Sequence, residues 1–154
     1  MKVIFLDFDG VLNGQKDVAP FVADQGVRLL PEKLLLIKQM TAATDAKIIL
    51  STSWREHWSA DAAQCDTTGL RINSIFSQYG LQIQDKTPSL RTGRETEIKS
   101  WLDTHPETTH FVVLDDGLLS ADFLDGHFVK TSAYFGGLDE TDVKKAIEIL
   151  GVRA

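Results

Sequence analysis

The chain of 154 residues carries 16 Lys and Arg against 22 Asp and Glu; its formal charge of −6 sets up no field drawing the whole molecule to nucleic acid or an anionic membrane, though a local basic patch stays open. One cysteine, Cys65, excludes an internal disulfide and a multi-cysteine metal site, in keeping with a reducing cytoplasmic compartment. No stretch approaches the ~18 uninterrupted apolar residues of a membrane span, and the short apolar run after Lys2 is too brief for a signal peptide, so a soluble, single-domain chain over 1–154 is expected.

The run Lys-Val-Ile-Phe-Leu-Asp-Phe-Asp-Gly at 2–10 reads as a buried parallel strand over Val3 to Leu6, with Asp7 and Asp9 where its carboxyl end opens. Two carboxylates so close repel unless a cation neutralises them, which predicts a divalent ion held by hard oxygen ligands, Mg²⁺ first among them. Gly10 lets the chain turn past that ion. The stretch 11–30, with Pro20 and Gly26 and no sustained period, reads as a loop or flap over the strand end. Pro31 opens a helix to about Thr44 with a buried stripe of Leu34, Leu35, Ile37 and Met40. Lys47 to Leu50 is a second strand, ending in Ser51-Thr52-Ser53-Trp54-Arg55, and the right-handed crossover sets both polar strand ends on one edge of the sheet.

Over 56–68 the residues are polar and small, a helical turn or two and then loop, and 70–79 is helical with Leu70, Ile72, Ile75, Phe76 and Tyr79 inward. Residues 82–92 read as irregular. A helix over 94–104 buries Ile98, Trp101 and Leu102 and stops before Pro106. Phe111 to Leu114 is a third strong strand, ending in Asp115, Asp116 and Gly117; a shorter strand at 127–130 and a helix at 139–150 complete the chain. The alternation indicates a doubly wound, Rossmann-like α/β fold, whose ligands bind beyond the carboxyl ends of a parallel sheet.

Three strands thus end in oxygen-rich segments: Asp7 and Asp9, Ser51 to Ser53, and Asp115 with Asp116. In this ordered set the chain resembles the haloacid dehalogenase (HAD) superfamily of aspartate-nucleophile phosphohydrolases. Asp7-Phe8-Asp9-Gly10 matches its first motif, the hydroxyls after Leu50 its second, and Val113-Leu114-Asp115-Asp116 its fourth. Ser-Thr-Ser-Trp-Arg at 51–55, Gly-Arg-Glu-x-Glu-Ile-x-x-Trp-Leu at 93–102 and Leu-Asp-Asp are similar, more narrowly, to the small HAD domains associated with RNA repair proteins.

The resemblance implies Asp7 as nucleophile forming an aspartyl-phosphate, Asp9 as acid and base, and Mg²⁺ held by Asp7, the backbone carbonyl of Asp9 and the acidic pair, with Asp116 direct and Asp115 water-mediated. It implies Thr52 as the hydroxyl on the phosphoryl oxygens, with Ser51 the alternative and the Ser53 N–H assisting; a helix N-cap is the ordinary use of such hydroxyls. The family places a Lys before the acidic strand, where this chain has Arg94, with Lys86, Arg91 and Lys99 as competitors. Arg55 joins the substrate-binding set, or else pairs with a surface acid. His57, His105, His110 and His127 lack metal-ligand spacing, Trp101 is core, and Trp54 and Trp58 are either packing residues or aromatics at the site mouth. Neither usual insertion point has room for a large cap, which implies an open mouth suited to a large phosphomonoester such as an RNA or nucleotide phosphate end. The alternatives are a small-metabolite or phosphoprotein phosphatase and, in a different class, a receiver-like phospho-acceptor or an inactive binding domain. Receivers carry their acidic pair on the first strand, the reverse of the order here.

Overall fold

The computed structural model describes residues 1–14, 26 and 28–154. Five strands form one parallel sheet in the order β3-β2-β1-β4-β5: β1 Lys2–Leu6, β2 Lys47–Leu50, β3 Ile83–Lys86, β4 His110–Asp115 and β5 Phe128–Lys130. Helices α1 Pro31–Thr44, α2 Thr67–Gln78, α3 Arg94–Asp103 and α4 Glu140–Leu150 connect or follow them, with short 3-10 turns at Ser53–His57, Ala62–Gln64 and Asp122–Leu124. Residues 15–25 and 27 lie outside the described residues, and with them most of the expected flap. No helix among the described residues is long and apolar enough to cross a membrane.

The central strands are apolar without a break because helices cover both faces of the sheet. Side chains alternate between those faces. Ile4, Leu6, Ile48, Leu50, Val112 and Leu114 pack with Leu34, Ile37 and Met40 of α1, Ile72 and Phe76 of α2, and Val143, Ala146 and Leu150 of α4. Val3, Phe5, Ile49 and Val113 face the other way, onto Ile98 and Trp101 of α3. Each fully buried Ile, Leu or Phe contributes roughly 1.5–3 kcal/mol relative to exposure. Leu35, expected in the α1 stripe, is instead 57% exposed, one position off the buried face marked by Leu34 and Ile37. The segment at 82–92 is not irregular throughout, since Ile83–Lys86 forms β3 beside β2. As an edge strand it has one covered residue, Ile83, and so lacks the apolar run that marks its neighbours.

Register places the site. Leu6 lies opposite Leu50 on one side and Leu114 on the other, so β1, β2 and β4 end level. Asp7 N–H continues the ladder to the Leu114 carbonyl at 3.1 Å, and Ser51 N–H donates to the Leu6 carbonyl at 2.9 Å. Asp7 and Asp115 follow Phe5 and Val113 in the alternation and therefore project side by side on the α3 face. The strand order reverses between β1 and β4, the crevice where doubly wound folds bind ligands.

The 3-10 turn after β2 rests on α2 at Gly69, where a Cβ would lie 1.9 Å from the His57 carbonyl oxygen. At an exposed helical position Gly→Ala is ordinarily stabilising by about 1 kcal/mol. Here Gly69→Ala is expected to lower the unfolding free energy by roughly 1–3 kcal/mol, because a backbone carbonyl has to move. Urea denaturation checks this; a gain in stability would show that the turn yields freely.

Candidate active site

Asp7 stands at the centre of the strand ends, 7% exposed. Its Oδ1 accepts the Phe8 N–H at 2.8 Å, and Arg94 Nη1 lies 3.3 Å from its Oδ2. The same Nη1 donates to Asp115 Oδ2 at 2.9 Å, so one guanidinium nitrogen bridges the two carboxylates. Burial first, and then the Asp115 charge, push the Asp7 carboxyl up from its ordinary 3.8 to about 7, against the opposing pull of Arg94, the Phe8 N–H and the Thr52 hydroxyl. Burial pulls the Arg94 guanidinium down, but Asp7 and Asp115 together outweigh it and hold its pKa raised. Asp116 is also raised, by burial and by Asp115.

One carboxylate oxygen from each of Asp7, Asp115 and Asp116 lies within 4.8 Å of the other two. Three hard donors with a single guanidinium between two of them, and an Asp7 carboxyl still lifted to about 7, are a surplus of negative charge that suits a divalent cation. Gly10 belongs to this fit: at φ +83° a Cβ there would sit 2.2 Å from Asp116 Oδ2, so glycine makes room for the third carboxylate. Both Asp115 oxygens are occupied by protein donors, Oδ2 by Arg94 and Oδ1 by the Gly117 N–H at 2.8 Å.

The Asp9 carboxylate stands apart from that trio. Trp54 Nε1 donates to its Oδ2 at 2.9 Å and Asn13 Nδ2 to its Oδ1 at 3.1 Å. Buried Asn13 in turn accepts the Gly10 N–H at 2.9 Å and donates to the Arg28 carbonyl at 2.8 Å, which locks the turn after β1. Asn13 escaped the sequence reading; its one signal there is an Asn four residues beyond Asp9 in a glycine turn.

Thr52 is fully buried, caps the 3-10 turn by accepting the Trp54 N–H at 3.3 Å, and sets its hydroxyl against Asp7, so the capping use and the place beside the site coincide. Ser51 Oγ is buried without a hydrogen-bond partner among the described residues, and Ser53 is exposed at the start of the turn. Of the four competing cations, Arg94 alone meets the site acids. Lys86 Nζ donates to the Arg55 and Trp58 carbonyls at 3.1 and 2.6 Å, Lys99 pairs with Asp103, and Arg91 is exposed.

Arg55 corrects the substrate-binding assignment. Its guanidinium is buried, 2.6 Å from Glu97 Oε2, and donates to the Thr52 carbonyl at 2.9 Å. It meets a buried acid of α3 where either a phosphate or a surface acid was expected, and Glu97 also accepts the Leu90 N–H at 2.9 Å. Trp58 is core, with Nε1 donating to Asn73 at 2.7 Å, whereas Trp54 is the aromatic at the mouth.

The raised Asp7 carboxyl makes a stability prediction for the metal-free protein. Between pH 3.8 and about 7 the folded state binds more protons here than the unfolded chain, so Asp7 removes stability as pH rises, and the loss is complete above about 7. Asp7→Asn is therefore expected to raise unfolding free energy in chelator at pH 8 by roughly 2–4 kcal/mol, shrinking toward zero near pH 4. Denaturation at several pH values checks it; equal stabilities at pH 8 would mean that Arg94 already compensates the charge.

Neither the curated proteins nor the solved structures compared with this chain include a match. A family model described as the HAD domain in Swiss Army Knife RNA repair proteins matches residues 3–143, from the first strand to the start of α4 and so across every strand that brings an acid or hydroxyl to the site. The chain belongs to that HAD family.

Proposed function

We propose that this HAD-family chain, acting as one cytoplasmic domain over 1–154, is a Mg²⁺-dependent phosphomonoesterase working through an aspartyl-phosphate on Asp7. The observation that carries the reading is the buried Asp7 carboxylate, clustered with Asp115 and Asp116 and bridged to Asp115 by Arg94. An Asp7 oxygen attacks phosphorus in line as the ester oxygen leaves, and that oxygen takes a proton from Asp9. Asp9 then removes a proton from water, which attacks the acyl-phosphate, releasing inorganic phosphate and the Asp7 carboxylate. Arg94 stabilises the equatorial oxygens, while the Thr52 hydroxyl and the Ser53 N–H hold the phosphoryl group. Asp7, Asp116, Asp115 and the Asp9 carbonyl would hold Mg²⁺, which supplies the positive charge that lets an anionic nucleophile approach a phosphate.

The mouth and the family support a substrate class. Between β2 and α3 the chain forms α2, β3 and short turns packed on the core, with no separate folded cap. A site with no cap in that segment suits a phosphate presented on a large molecule, and the RNA-repair description of the family favours a nucleic acid end.

Phosphate release from nucleic acid ends, nucleotides, phosphopeptides and sugar phosphates tests the reading. Asp7→Asn is expected to lower kcat more than ~10³-fold with the fold intact. Arg94→Ala should cost ~10²–10³-fold, with Arg94→Lys recovering part, since a point charge replaces some of a guanidinium's field but not its fork. Wild-type turnover by Asp7→Asn would sink the mechanism.

A chelator is expected to abolish activity, and added Mg²⁺ to restore it. Because Arg94 and Gly117 already engage Asp115, Asp116→Ala should raise the Mg²⁺ concentration for half-maximal rate more than Asp115→Ala does. A titration giving the opposite ranking would exchange the two roles.

A further inference from the structure

Past the carboxyl ends of β4 and β5 the chain carries exposed apolar side chains that the chemistry above does not use: Leu118 is 89% exposed, Tyr134 78% and Phe135 82%. Tyr134 and Phe135 form the tip of a turn leaving the carboxyl end of β5. The turn is closed on itself by the Gly137 N–H donating to the Ser132 carbonyl at 2.8 Å. It is pinned to the site at both ends. Thr131 N–H donates to the Asp115 carbonyl at 2.9 Å and its hydroxyl to the Gly10 carbonyl at 2.6 Å, while Leu138 N–H donates to the Val11 carbonyl at 2.9 Å. From Thr131 to Tyr134 the chain spans at most ~11 Å, so the aromatic tip lies within reach of a nucleotide neighbouring a phosphate bound at Asp7. The two rings stand edge to face, centroids 4.9 Å apart at 88°, and leave ring surface to solvent.

We propose that Tyr134 and Phe135 form a base-stacking subsite for a single-stranded nucleic acid end whose terminal phosphate is bound at Asp7. The proposal rests on the phosphatase reading and adds the part of the substrate held away from phosphorus. Charge supports it. A chain of −6 has no global attraction for a polyanion, so affinity has to come from contacts that need no net charge, and stacking on aromatic rings is such a contact. Exposed Lys130, in register opposite Asp115, stands where the tip begins and offers a cation to the backbone. Area argues against a protein partner: two rings of ~150–250 Å² each, even with Leu118, fall short of the ~800 Å² that a stable interface takes from one partner.

The test uses the full chain carrying Asp7→Asn and a single-stranded, phosphate-terminated oligonucleotide followed by fluorescence anisotropy. Adding Tyr134→Ala and Phe135→Ala is expected to weaken binding about 5- to 150-fold, the range for loss of one stacked base, and Tyr134→Trp to hold or tighten it. A Kd within twofold of the parent, no binding by the parent itself, or aromatic-dependent binding to phosphatidylglycerol vesicles in place of the oligonucleotide would overturn the subsite. Turnover of the same oligonucleotide by the unsubstituted protein separates the two readings. Release of phosphate with no sensitivity to the aromatic substitutions rejects the subsite and keeps the phosphatase. Aromatic-dependent binding with no release rejects the phosphatase and keeps the subsite.

Discussion

One guanidinium nitrogen between two carboxylates is the contact on which the strand ends depend. Like charges ~4 Å apart repel by roughly 4 kcal/mol in a partly screened setting, and parallel strands ending level bring Asp7 and Asp115 together whether or not that is favourable. Arg94 relieves the repulsion only because α3 is held in place behind it. Trp101 packs edge-on against Phe5 at 5.4 Å and donates its Nε1 to Asp85 at 2.9 Å, and Ile98 is buried in the same cluster. The hydrophobic face of α3 and the electrostatics of the site are thus a single structural requirement.

A second buried ion pair supports the first from behind. Arg55 lies in the turn that carries Ser51 to Ser53, and Glu97 lies three residues along the helix from Arg94, so their 2.6 Å contact ties the hydroxyl segment to the cation. Taking two charges out of water is costly, and removing one partner typically costs 3–5 kcal/mol by stranding the other. Glu97 offsets part of that cost by also accepting the Leu90 N–H, and Arg55 by donating to Thr52. Lys86 closes the other end of the same turn through two carbonyls. Two basic residues that look like phosphate ligands therefore shape the backbone that would meet the phosphate.

That difference shows what was legible in the chain and what was not. The apolar runs ending in Asp7, Ser51 and Asp115 mark the central strands because both faces of a parallel sheet are buried, and the order of the runs fits the HAD pattern. Arg94 was one of four candidate cations, set ahead of Lys86, Arg91 and Lys99 by its place before the acidic strand, where the family has a Lys. β3 was not, because Ile-Gln-Asp-Lys on an edge needs only one covered side chain. Arg55 was misread because charge is visible in sequence and burial is not, and its partner lies 42 residues away. The hold on Asp9 was out of reach for the same reason: Trp54 is 45 residues distant and Asn13 acts through a turn whose geometry no local pattern prescribes.

The helix that carries Arg94 breaks the rules that α4 keeps. α4 begins with a capping box in which Asp139 and Asp142 satisfy each other's backbone N–H groups, placing acids at the positive end of the helix. α3 begins at Gly93, with φ +115° and no side-chain cap, and its first residue is a cation facing the same positive end, an arrangement worth about 0.3–1 kcal/mol in the wrong direction. Glu95 and Glu97 in the first turn answer the dipole in part. The remaining cost is met across the site, where Asp7 and Asp115 turn an unfavourable N-terminal charge into the bridge between two strands. A helix start that is poor by local standards, set against strand ends that are poor by theirs, is the pattern of a functional site, since each defect is compensated only by the other.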